Sequence, residues 1–212
     1  MKLFLLCIAS SVLLFCTVTA EAGIYAGLHL GIAIPDDTEL IDEGNRFDVS
    51  LDSAFHSSGV IGYEFTALPV RIEGEISYNE NDTGRITTPS GAKFDTDGYL
   101  ESTSFMVNFL YDFKNESSFT PYLSAGLGYS MLELKFNDTG NQAAEDDVFA
   151  WSVGAGIAYS LTESLFFDLQ YKYFATADAE DTPTNLTDPS IVFDVEYDYS
   201  AHIATLGVRY HF

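Results

Sequence analysis

The chain has 212 residues, with 32 acidic side chains against nine basic ones and a formal net charge of −23. That length suits one domain with a real core, and so acidic a balance excludes nucleic acid as a partner, because neutralising phosphates takes Lys and Arg. No stretch beyond the first twenty residues has the length of an apolar transmembrane helix.

The opening segment, MKLFLLCIASSVLLFCTVTA, carries a basic Lys2, an apolar run from Leu3 to Val18 and then small residues. This is the pattern of a signal peptide over 1–20, cleaved after Ala20 or Ala22, and the run is short for a membrane span. Both cysteines, Cys7 and Cys16, fall in it. The mature chain, 21–212, is therefore expected to be an exported domain without disulfides.

From Gly23 onward the apolar residues recur at every second position, the period of a strand. Eight such segments run over about 24–35, 53–65, 70–80, 99–113, 119–136, 148–161, 165–177 and 193–212. Short turns at 66–69, 114–118 and 162–164 alternate with long polar connections at 36–52, 81–98, 137–147 and 178–192. The pattern predicts an all-β fold, an eight-stranded antiparallel up-and-down β-barrel with turns at one end and loops at the other. Of the 32 Asp and Glu residues, 22 lie in or beside the four loops, so the charge gathers at one pole.

Alternation alone fits both a soluble carrier and a membrane barrel, whose two faces are reversed. The residue types decide. In the sixth segment Phe149, Trp151, Val153, Ala155, Ile157, Tyr159 and Leu161 share one face, and Ala150, Ser152, Gly154, Gly156, Ala158 and Ser160 share the other. A water-facing surface would carry Lys and Glu; Gly, Ala and Ser suit the crowded lumen of a small barrel. Aromatics collect at the turn end (Tyr63, Phe65, Tyr111, Phe113, Tyr159, Tyr210, Phe212) and toward the loop end (Tyr78, Phe149, Trp151, Tyr171, Tyr173). Two such girdles mark the two interfaces of a bilayer. The expected architecture is a transmembrane β-barrel, apolar toward lipid and small or charged within.

By phase, Arg71, Glu73, Glu75, Asp112, Asp168, Lys172 and Arg209 point into the lumen. Unpaired buried charge is costly, so these are expected to form a salt-bridged plug, with a narrow, charge-lined channel as the alternative. His56 and Ser58 share a face with Glu64, the residue types of an acyl hydrolase, but a lumen-facing set is out of reach of a lipid ester and no catalytic residues are assigned. The acidic loops lack the spacing of a calcium loop, so neither a metal site nor a cofactor is predicted; divalent bridging to anionic surface lipid is a hypothesis. In the last segment Phe193, Val195, Tyr197 and Tyr199 are apolar at odd positions, whereas Leu206, Val208, Tyr210 and Phe212 are apolar at even ones. One continuous strand with Tyr197 and Tyr199 turned inward over the lumen accounts for this without a bulge.

TPYLSAGLGYS, FAWSVGAGIAYSLTESLFFDLQYKYF and HIATLGVRYHF resemble the last four strands of OmpA/Opa-type eight-stranded outer-membrane surface proteins, and VRIEGEISY is similar to their third strand. The resemblance covers Gly23 to Phe212 and implies a bacterial outer-membrane protein, a monomer in contact with outer-membrane lipid, serving as a surface antigen or adhesin toward a host surface or matrix, or supporting the envelope. It also implies that the terminal aromatics, Tyr210 and Phe212, are read by the outer-membrane assembly machinery. Some barrels of this membrane modify lipid A, a less favoured reading.

Overall fold

The computed structural model describes residues 23–42, 45–137, 143–182 and 195–212; the proposed leader and Phe193 lie outside them. Among these residues every regular element is a strand. Eight long strands build the wall: β1 (Ile24–Pro35), β2 (Ala54–Glu64), β3 (Val70–Thr87), β4 (Gly98–Asp112), β5 (Phe119–Phe136), β6 (Ala144–Ser160), β7 (Leu165–Thr176) and β8 (Ser200–His211). Each pairs antiparallel with its sequence neighbours. β1 closes on β8 over eleven residue pairs, from Tyr25 opposite His211 to Pro35 opposite Ala201. Closure pairs both edges of the wall, the condition for a sheet to sit in hydrocarbon.

The faces follow the alternation. Leu28, Leu30, Ile61, Val107, Leu127, Leu169 and Leu206 stand exposed on the outer wall. Paired rings line the turn end: Tyr63 with Phe65, Tyr111 with Phe113, Phe119 with Tyr159, and Tyr210 with Phe212, at centroid distances of 4.8 to 5.4 Å. At the loop end Phe105 stacks on Tyr129, whose cross-strand partner is Phe149.

The connections depart from the sequence reading. β3 continues to Thr87, 18 residues or about 60 Å of strand, well beyond the roughly ten tilted residues that cross a bilayer. The long connections, read as polar loops, contain four short strands, Thr38–Asp42, Asn45–Leu51, Lys93–Asp95 and Ala179–Asp181, and a fifth, Val195–Tyr197, lies within the segment read as the last strand. Together with the upper part of β3 they form a second sheet above the barrel, in the order 179–181, 195–197, 38–42, 45–51, β3, 93–95. A bulge beside Gly84, where Ser50 pairs with Arg85 and Leu51 with Thr83, turns β3 from one sheet into the other.

The last strand is a further correction. β8 begins at Ser200, and regular strand structure lapses at Asp198 and Tyr199, although the Tyr199 carbonyl still accepts the Thr176 amide at 2.9 Å. Val195–Tyr197 belongs to the upper sheet, where it pairs with 38–42 and 179–181. The inward phase nevertheless runs through the break: Tyr197, Tyr199, Ala201, Ile203, Thr205 and Arg209 are all buried.

Candidate functional site

Inward positions of β3 and β4 set the layers of the lumen. From the turn end upward β3 contributes Arg71, Glu73, Glu75, Ser77, Asn79, Asn81 and Thr83, all buried. β4 contributes Asp112, Leu110, Asn108, Met106, Ser104, Ser102 and Leu100, also buried. Charge sits low, hydroxyls and amides sit higher, and apolar side chains cover the top.

The lowest layer centres on Arg71. Its Nε donates to both carboxylate oxygens of Asp112 at 3.1 and 2.9 Å, and Nη2 donates to Oδ1 at 2.9 Å. Nη1 donates to Glu73 Oε1 at 3.2 Å, and the Tyr25 hydroxyl donates to the same oxygen at 2.7 Å. The guanidinium lies over the rings of Tyr122, at 4.8 Å, and Tyr25, at 5.9 Å. Arg209 faces Tyr25 and Phe166, each at 5.0 Å, and pairs with Asp168 at 3.5 Å, an ion pair without hydrogen-bond geometry. At the next inward position of β3, Lys172 Nζ donates to Glu75 Oε1 at 2.6 Å, and Asn108 Nδ2 donates to the other oxygen at 2.7 Å.

All seven charged residues singled out in the sequence thus stand in the lumen, in two tiers. What the sequence left unseen is the aromatic casing of Tyr25, Tyr122 and Phe166. Tyr25 and Tyr122 lie over inward glycines of neighbouring strands, Gly62 and Gly156, where a Cβ would run into the rings. Because a side chain on one strand reaches over the next, only the strand register identifies the partner.

Above the charges is a neutral polar layer. Ser102, Ser104 and Ser130 share hydrogen bonds of 2.9 to 3.3 Å, and His56 Nδ1 is 3.4 Å from Asn79 Oδ1. His56 and Ser58 are buried here, whereas Glu64 sits at the turn-end rim, where Lys114 Nζ donates to it at 2.9 Å. The hydrolase set is not brought together. Leu100, Leu132, Leu134, Val148, Phe174 and Ile203 close the lumen on the β4–β8 side, packed with Tyr197 and Tyr199.

Outside, just above the aromatic girdle, four glutamates lie in cross-strand register on adjacent strands: Glu80, Glu101, Glu133 and Glu145. Like charges directly opposite destabilise a sheet. The Tyr78 hydroxyl donates to Glu80 and Glu101, and Tyr99 donates to Glu133 at 2.7 Å. Glu101 lies outside the membrane-spanning part, four residues above Phe105. Its carboxyl is pushed above the usual range, chiefly by desolvation and further by Glu133 and Glu80, against the Tyr78 hydrogen bond. A carboxyl with a raised folded-state pKa costs stability as pH rises through that pKa, so the rim is expected to gain stability on acidification from neutrality. Glu101→Gln should raise stability at pH 7 and low salt by about 0.5 kcal/mol and flatten that pH response. Chemical unfolding at pH 5 and pH 7 reads both effects.

A closed wall with lipid-facing apolar residues, two aromatic girdles and a charged, packed interior defines a transmembrane β-barrel of the bacterial outer membrane. The model of the outer membrane protein beta-barrel domain family matches residues 3–212, and the chain belongs to that family. It is 25% identical to outer membrane protein PagN of Salmonella typhimurium over 221 residues, covering 92% of each chain. Among solved structures it is similar to Neisserial surface protein A (TM-score 0.52, 18% identity, 91% of this chain and 99% of that one). It is also similar to the outer membrane protease OmpT of Escherichia coli (TM-score 0.55, 9% identity, 93% and 99%). At these identities the structural likenesses concern the fold.

Proposed function

We propose that this outer-membrane protein is a non-enzymatic surface protein, an antigen or adhesin-like molecule whose barrel is an anchor and whose acidic extracellular loops meet the partner. The observation that carries this reading is the upper sheet. Five short segments, 38–42, 45–51, 93–95, 179–181 and 195–197, are hydrogen-bonded into one sheet on the extension of β3. A preformed sheet on a rigid scaffold lowers the ordering cost of binding. Its outward face is mixed in charge, with Arg46 paired to Glu39 at 3.0 Å and Arg85 to Asp95 at 3.6 Å, all exposed. The apolar packing across the upper lumen favours an anchor over the narrow channel. Separation of Glu64 from His56 and Ser58 favours a non-enzyme, and the paired wall edges favour a monomer.

Replacing 38–51 with a short Gly-Ser turn should abolish attachment of expressing bacteria to host cells or matrix while the barrel still assembles. If every loop could be shortened without loss of attachment, the protein would instead serve the envelope, and the defect would appear as leakage of periplasmic enzymes. We also infer that Tyr210 and Phe212 form the assembly signal. The Phe212 amide donates to Ile24 O at 3.1 Å, so its position is fixed against β1. Phe212→Asp should reduce assembled protein in cells severalfold while changing the stability of the refolded barrel by less than about 1 kcal/mol.

A further inference from the structure

Residues 195–199 cross the mouth of the barrel between the upper sheet and β8, and their backbone joins the wall only at Tyr199, whose carbonyl accepts the Thr176 amide at 2.9 Å. Val195–Tyr197 takes its ladder partners from the upper sheet, Leu40, Ile41 and Asp42 on one side and Ala179, Glu180 and Asp181 on the other. Tyr197 and Tyr199 are nevertheless almost completely buried, and they share a core with wall residues Leu100, Leu132 and Ile203. Their hydroxyls reach different walls. Tyr197 donates to Ala144 O of β6 at 2.9 Å, while Tyr199 donates to Asn81 Oδ1 of β3 at 3.0 Å and accepts from Asn79 Nδ2 at 2.8 Å. Between them, Asp198 O accepts the Thr38 hydroxyl at 2.8 Å. Asn79 is the cross-strand partner of Ser102, so the layer directly beneath is the hydroxyl cluster of Ser102, Ser104 and Ser130.

We propose that residues 195–199 are a strap that gates access from the cell surface to this polar layer of the lumen. Its ladders run to the short strands of the upper sheet, and its hold on the wall is the two rings, their hydroxyls and the Thr176–Tyr199 bonds, whereas each wall strand is held by ladders along its length. The strap therefore opens at far lower cost than the barrel. Because its edge is hydrogen-bonded to 38–42, any partner that draws the upper sheet outward draws the strap with it. The gate lies above the Lys172–Glu75 and Arg71–Asp112 tiers, so opening it exposes the hydroxyl cluster without opening a pore.

The test is reaction of a cysteine placed beneath the strap. The only native cysteines lie in the first twenty residues, and cells expressing the parent protein provide the background. Ser104→Cys should react slowly with a membrane-impermeant maleimide applied to intact cells. In the Tyr197→Ala/Tyr199→Ala background, reaction should be faster by at least about tenfold, since exposure controls thiol attack. The folded barrel is verified by its mobility shift on heating before electrophoresis. Equal rates in two folded barrels, or rapid reaction in the parent background, would overturn the proposal. Should the alanine pair fail to fold, Tyr197→Phe/Tyr199→Phe keeps the rings and removes the hydroxyl anchors. An intermediate acceleration there supports the strap, and none overturns it.

Discussion

Arg71→Met is expected to lower the unfolding free energy of the barrel by about 3–5 kcal/mol, because it strands Asp112 and Glu73 as buried carboxylates without their cation. The expectation rests on geometry: three hydrogen bonds to Asp112, one to Glu73 and two aromatic faces enclose a guanidinium that is 2% exposed. Urea unfolding of the detergent-refolded barrel, followed by the heat-dependent mobility shift, measures it. The triple variant Arg71→Met/Asp112→Leu/Glu73→Gln should recover most of the loss, since replacing a whole buried ionic group by apolar volume is often neutral. A loss below about 1 kcal/mol for Arg71→Met would mean that the lumen is wet enough to screen the pair.

Gly62→Ala is expected to cost about 2–3 kcal/mol, a large effect for one methyl group. A Cβ at this position collides with the ring of Tyr25 from the neighbouring strand. Tyr25 has no room to withdraw, as it is fully buried, bonded to Glu73 and stacked on His211 at 4.9 Å. Overpacking of this kind forces rings off their rotamers. The diagnostic is coupling: on a Tyr25→Leu background the same Gly62→Ala change should cost less than about 0.5 kcal/mol. Gly156, beneath Tyr122, should behave similarly, with a smaller rescue because Leu169 O also crowds the site.

These two experiments address features of different legibility. The charges of the lumen could be assigned from phase, because alternation in β3, β4, β7 and β8 leaves Arg71, Asp112, Asp168 and Arg209 one available side. The bed of glycines could be seen only as a crowded face. Nothing local to Gly62 reveals that Tyr25 lies over it, since the two meet through the β1–β2 register.

The fold, the membrane and the polarity of the lumen were determined by the sequence alone, because a period of two and the chemistry of its two faces are local properties that a bilayer reads directly. The strap and the upper sheet were decided by tertiary structure. Leu40, Phe47 and Val49 alternate over runs too short to stand out from a polar loop, and they become strands only where the extension of β3 pairs with 45–51 and 45–51 in turn pairs with 38–42. Tyr197 and Tyr199 carried an inward phase in the sequence, but their roles depend on Ala144 and Asn81, residues more than fifty positions away that closure of the barrel brings to opposite sides of one mouth.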